Sequence, residues 1–200
     1  MNLNLPSFAG KIVPTATNMI RMDHTHVMAT FHQYELDGSP RTRQGLANTI
    51  CLALEVHAQL EEEIFYPAMK ALDSSNPALK KSVPEHNEMK RLIAKLRGMQ
   101  PTEAGYDDTL FELMRDVMHH VADEETIILP EAERLMADRL GDLGAQMLKR
   151  RLELVAPRGG EIAGNMMKGM PKSTMMLAAG ALMAGTYLMK RNGNHSRDPK

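Results

Sequence analysis

Apolar positions in this chain recur at intervals of three and four, the period of helices that bury one face. Met19, Ile20, Val27, Met28 and Phe31 predict a helix over about 16–36. Asp37-Gly38-Ser39-Pro40 is turn chemistry that ends it and opens the next. A longer pattern over 41–72 places Leu46, Ile50, Ala53, Leu54, His57, Glu61, Ile64 and Ala68 on one face, and Pro67 predicts a kink near its end. After the break Asp73-Ser74-Ser75-Asn76-Pro77, a third helix is expected over 78–97, its early turns disturbed by Pro84. Gly98-Met99-Gln100-Pro101 and Gly105 mark a loop before a fourth helix over 106–137, kinked at Pro130. Short connections between long helices make neighbours antiparallel. The expected fold is therefore all-α: an up-down-up-down four-helix bundle, a short fifth helix over 141–155 and a C-terminal apolar helix.

Residues 1–155 are expected to form the bundle. Residues 156–172, rich in Gly, Pro and Lys, read as a linker. The segment 173–189 carries no charge and is closed by Lys190 and Arg191 at the head of a basic tail, 190–200. Its seventeen residues sit at the lower end of the roughly 17–25 needed to span a bilayer. Membrane contact through this segment is one expectation, and packing of an apolar helix on the bundle or on a partner chain is the other. No basic start followed by an apolar run opens the sequence, so no secretory signal is visible. The single cysteine, Cys51, excludes an internal disulfide framework and any cysteine-only zinc or iron–sulfur site. A cytoplasmic location, with or without a C-terminal anchor, is the expectation.

Aromatic residues make up only 4% of the chain, tryptophan is absent and methionine reaches 18, which favours helices over a sandwich or barrel. Charge is divided unevenly. Through residue 148 there are 14 Lys and Arg against 22 Asp and Glu, and from Lys149 onward 10 against 3. The bundle is acidic, and the basic tail lacks interleaved aromatics, so no nucleic-acid partner is expected.

A repeat carries the chemistry. His57-Ala-Gln-Leu-Glu61-Glu62 is followed by Pro67, and His120-Val-Ala-Asp-Glu124-Glu125 by Pro130; the two copies are 63 positions apart. Asp23-His24 and Glu85-His86 form a second repeated pair, offset by 62. The chain is thus a helical hairpin written twice, with an approximate two-fold relation expected between its halves. Residues four apart share a helix face, so His57 points with Glu61 and His120 with Glu124. His24 and His86 lie among apolar neighbours and should face inward too. Four imidazoles and two carboxylates then meet in one interior, with no Lys or Arg at a matching inward position. Buried carboxylates are costly unless paired or bound to metal, and a divalent metal pair would neutralise them; imidazole with carboxylate suits iron. His119, about 100° around the helix from His120, cannot share that face. His26 and His32 are likewise left out, and Glu62 and Glu125 are expected exposed or behind the ligands. Asp23 and Glu85 either hold imidazoles or are solvated. Tyr66, nine positions beyond His57, is placed on the opposite face and outside the site.

These motifs resemble the hemerythrin and HHE cation-binding domains: Asp23-His24 on the first helix, His57 to Pro67 with Phe65-Tyr66 on the second, Glu85-His86 on the third and His120 to Pro130 on the fourth. The resemblance covers about residues 15–155. It implies a carboxylate-bridged di-iron site, oxo- or hydroxo-bridged, with His24, His57, Glu61, His86, His120 and Glu124 as ligands and other divalent metals not excluded. Oxygen-carrying hemerythrins place a further histidine four residues from the first on the third helix; here Lys90 and Ser82 stand four to either side of His86. The chain resembles the four-histidine, two-carboxylate variant, which implies about one open position per metal. The implied functions are reaction with O2, NO or peroxide, iron supply for stress repair, or oxygen or nitric-oxide binding and sensing without turnover.

Overall fold

The computed structural model describes residues 13–170, and no strand occurs among them. Helix α1 (Ala16–Phe31) is capped by the Thr15 side chain. Helix α2 (Pro40–Leu60) starts with Ser39 as cap and proline in its first turn, a position where the missing N–H costs nothing. It runs through a π-helical stretch, Glu61–Phe65, into α3 (Tyr66–Lys70). Helix α4 (Pro77–Arg97) is capped by Asn76. Helix α5 (Tyr106–Asp123) passes through a second π stretch, Glu124–Ile128, into α6 (Leu129–Leu135). Helix α7 (Leu140–Val155), a 3-10 turn (Ala156–Arg158) and α8 (Gly159–Gly169) follow.

Cross-helix pairs establish which helices are neighbours, and the short connections make them antiparallel. Asp23 meets His57 across α1 and α2, Arg97 meets Glu55 across α2 and α4, and Lys81 meets Asp123 across α4 and α5. Arg21 closes the ring by pairing with Glu125. The bundle is up-down-up-down, as the helical periodicity predicted. Its interior divides into two apolar clusters. One gathers Ile20, Leu60, Phe65, Met69, Leu79, Ile128 and Met147; the other gathers Val27, Ile50, Leu54, Met89, Leu113 and Val117. The histidines and inner glutamates lie between the two, a polar layer in an otherwise apolar core.

Several expectations change. Helix α1 ends at Phe31 rather than near Leu36, because Gln33 and Tyr34 donate to carbonyls only three residues back and the Tyr34 hydroxyl is drawn across to Asp107. Helix α4 continues through Pro84, which is exposed, so its ring faces solvent instead of breaking the core. The prolines Pro67 and Pro130 produce π stretches instead of simple kinks. A proline cannot donate to the carbonyl four residues back and crowds it, and a widened turn relieves that crowding. Residues 159–169, expected within a linker, form a helix packed on α2, where Gly45 lets the backbone of Lys168 and Gly169 approach closely. None of the described helices is long and apolar enough to cross a membrane. The uncharged segment 173–189 and the basic tail lie outside the described residues.

Candidate metal centre

The six predicted ligands converge. His24, His57, His86 and His120 are buried, and Glu61 and Glu124 have no solvent exposure. His57 Nε2 stands 3.2 Å from Glu61 Oε2, and His24 Nε2 3.1 Å from Glu124 Oε2. On the other side His86 Nε2 lies 3.4 Å from Glu61 Oε2 and His120 Nε2 3.5 Å from Glu124 Oε2. Two donor groups result: His24, His57, Glu61 and Glu124, and Glu61, His86 and His120, the donor atoms of each lying within 4.8 Å of one another. Donors held at ~2.1 Å from one ion sit ~3–4 Å apart, which is the spacing found here.

Every imidazole is gripped from behind by a carboxylate of a different helix. Glu125 takes His24 Nδ1 at 2.8 Å, Asp23 takes His57 Nδ1 at 3.4 Å, Glu62 takes His86 Nδ1 at 2.9 Å and Glu85 takes His120 Nδ1 at 2.9 Å. The grip is cyclic: each histidine is held by the acid of the preceding rod, the first by the last. With each Nδ1 turned outward to a carboxylate, every Nε2 faces inward, the orientation in which a neutral imidazole offers its lone pair to a metal. His86 and His120 bring their Nε2 atoms to 3.0 Å. Two ring nitrogens at that separation need a shared proton or a metal ion between them. Glu61 Oε1 is likewise buried with no hydrogen-bond partner. The donor set therefore fits metal ions.

Electrostatics follow from the same contacts. Burial pushes the Glu61 carboxyl up, helped by the neighbouring charge of Glu124. Burial acts on Glu124 in the same direction, but the His24 hydrogen bond and the surrounding imidazoles hold it below the usual range. His24 is raised to about 9, burial opposing its charge and Glu124 and Glu125 overcoming it. His86 is driven down to about 4 by burial and by His120. Cations stay outside the ring: Arg21 pairs with Glu125, Lys90 with Glu62 and Arg151 with Asp23.

Tyr66 is the principal correction. It is buried, and its hydroxyl lies 3.0 Å from Glu61 Oε2, 2.8 Å from Glu124 Oε1 and 3.5 Å from His86 Nε2. Its expected position on the opposite face assumed 100° per residue throughout. In the π stretch the Tyr66 N–H bonds to the Glu61 carbonyl five residues back, and residues five apart then share a face. Pro67, immediately after it, was the available signal. Glu62 and Glu125 prove to be Nδ1 partners, and Asp23 and Glu85 hold imidazoles across helices rather than their own neighbours. His26, His32 and His119 are exposed and lie outside the site.

The model of the hemerythrin HHE cation binding domain matches residues 15–132, which carry all six converging side chains. The chain belongs to the HHE cation-binding family. A crystal structure of an HHE cation binding domain-containing protein from Mycobacterium kansasii superposes with a TM-score of 0.61, at 19% identity, over 78% of this chain and 95% of that one, a likeness of fold. A DNA nickase of Nostoc sp. (strain PCC 7120 / SAG 25.82 / UTEX 2576) is 26% identical over 148 residues, 74% of this chain and 42% of that protein. This HHE domain thus spans less than half the length of that relative. Family membership and the clustered histidines and glutamates together suggest metal binding.

Proposed function

We propose that this HHE domain holds two iron ions between Glu61 and Glu124, with His24 and His57 on one and His86 and His120 on the other. We propose further that the centre reacts with O2, NO or peroxide, or releases iron for stress repair. The observation that carries the reading is the meeting of four Nε2 atoms and two buried carboxylates while every Nδ1 is turned outward to a carboxylate. Iron bound there supplies one-electron redox chemistry and coordination positions open to a small molecule. On the histidine side lies an enclosed cavity of about 10 Å³ lined by Val27, Leu54, Met89, Ile93, Val117 and Val121, room for about one water-sized molecule. Those apolar walls favour a small uncharged ligand over an ion. On the other side Tyr66 holds both carboxylates.

A second reading, binding or sensing of oxygen or nitric oxide without turnover, is favoured by the cavity wall. Its charged members besides the histidines, Asp23 and Lys90, are both engaged in ion pairs, with Arg151 and Glu62. The Nostoc relative acts on DNA; this bundle's acidic surplus through residue 148 supports no nucleic-acid partner.

Metal analysis with an optical spectrum of anaerobically purified protein tests the proposal. About two irons per chain with charge-transfer bands is the expected result. Peroxide consumption well above that of free iron then supports turnover, whereas a ligand-bound spectrum without net consumption supports binding. Protein that holds zinc or manganese and takes up no iron overturns both, since the donors alone accept several ions.

A further inference from the structure

Helix α7 lies beyond the residues matched to the family, yet it reaches the centre. Arg151 Nη1 donates to Asp23 Oδ1 at 2.7 Å, and its Nη2 donates to Asp23 Oδ2. That same Oδ2 accepts from His57 Nδ1 at 3.4 Å. A planar guanidinium gripping both oxygens fixes the carboxylate plane, and the plane of the carboxylate fixes the direction of the imidazole behind which it sits. The remaining outer acids are held otherwise. Arg21 and Lys90, from within the repeated helices, pair with Glu125 and Glu62, and Glu85 has no Lys or Arg at ion-pair distance among the described residues. His57 is the ligand whose support comes from outside the repeat. Helix α7 is itself placed firmly, with Leu140, Leu143 and Met147 buried and Gly144 pressed against the backbone of Pro14 and Thr15.

We propose that Arg151 is a positioning residue of the metal centre, setting the orientation of His57 through Asp23, so that α7 is part of the site. This rests on the two-metal reading above. The test is a cobalt(II) titration of the metal-stripped full chain, followed by its optical spectrum, for the unmodified protein and for Arg151→Gln, Asp23→Asn, the double variant and Arg151→Lys. The unmodified chain should take up two equivalents. Arg151→Gln should weaken one of the two by about 10- to 100-fold and alter that ion's spectrum while leaving the other. Asp23→Asn, nearly isosteric, should do the same, and carries the test if Arg151→Gln does not fold. The double variant should be no worse than the more affected single one, and Arg151→Lys should recover part of the loss.

A purely structural clamp would instead lower the melting temperature of metal-free and loaded protein alike and leave cobalt uptake unchanged. Two equivalents bound with unaltered affinity and spectrum in Arg151→Gln and Asp23→Asn, or additive losses in the double variant, overturn the role of Arg151 alone. An unmodified chain that binds no cobalt overturns the two-metal reading, and this inference with it.

Discussion

Replacing Tyr66 with phenylalanine isolates one hydroxyl in the buried layer. The ring stays, stacked on His86 with centroids 5.6 Å apart, so no cavity opens and packing is conserved. The oxygen that leaves sits 2.8 Å from Glu124 and 3.0 Å from Glu61. One hydroxyl proton cannot serve two ionised carboxylates. Burial raises the Glu61 carboxyl while Glu124 stays low, so in metal-free protein the hydroxyl proton serves Glu124, the carboxylate that holds its charge. The variant leaves a charged, fully buried oxygen one donor short. Hydrogen bonds to charged groups contribute about 1.5–3 kcal/mol, and a loss of that size lowers the melting temperature by about 3–12 °C for a domain of this length. Thermal and urea denaturation of chelator-treated Tyr66→Phe, compared with the unmodified chain, measures it. A change below about 0.5 kcal/mol would show that the hydroxyl does not hold the carboxylates, and the placement of Tyr66 by the π stretch would fall with it.

Glu61→Ala or Glu124→Ala should lose at least one metal equivalent, whereas His119→Ala, exposed on the outer face, should keep both; metal analysis showing equal loss in all three refutes the inward assignment. Metal affinity should fall as the pH is lowered from about 8 to about 6, because His24 is held protonated up to about 9 and must release that proton to bind. Each proton displaced weakens binding by about tenfold per pH unit, and a chelator-competition affinity that is flat over this range contradicts it. Gly144→Ala should destabilise the fold by about 1–3 kcal/mol in urea denaturation, since a Cβ there would stand 2.1 Å from the Pro14 carbonyl oxygen; an unchanged midpoint would show that α7 yields without cost.

The converging side chains were legible in the sequence because helical spacing is a local rule. His57 and Glu61 are four apart, and so are His120 and Glu124, so their shared face needs only the 3.6-residue period. The breaks between helices were legible for the same reason: Ser39-Pro40 and Asn76-Pro77 lie in the turn segments ahead of α2 and α4, where the structure shows Ser39 and Asn76 as caps. What escaped depended on a broken period or on contacts between distant segments. Tyr66 enters the site because the turn ahead of Pro67 widens. Arg151 reaches Asp23 across 128 positions, and no spacing rule spans that distance. Residues 159–169 look like a linker by composition, yet Gly45 and Gly169 allow a backbone approach that holds them as a helix against α2.

The repeat also shows where the two halves cease to match, and that is where the centre gains its asymmetry. Tyr66 and Leu129 follow the two π stretches at equivalent positions, each bonded to the carbonyl of its inner glutamate. One presents a hydroxyl to the carboxylates; the other is a fully buried aliphatic group. Asp23 and Glu85 are likewise equivalent, but Asp23 is clamped by Arg151 while Glu85 faces partly to solvent. Both departures bear on the two donor groups unequally: the clamp supports His57 in one, and the tyrosine hydroxyl lies against His86 in the other. Two ions held here would occupy different surroundings despite nearly identical donor chemistry, so successive cobalt(II) equivalents should bind with distinct affinities and distinct spectra. Two indistinguishable equivalents would mean that neither Tyr66 nor Arg151 influences the metals, and that the symmetry of the sequence repeat extends to the site.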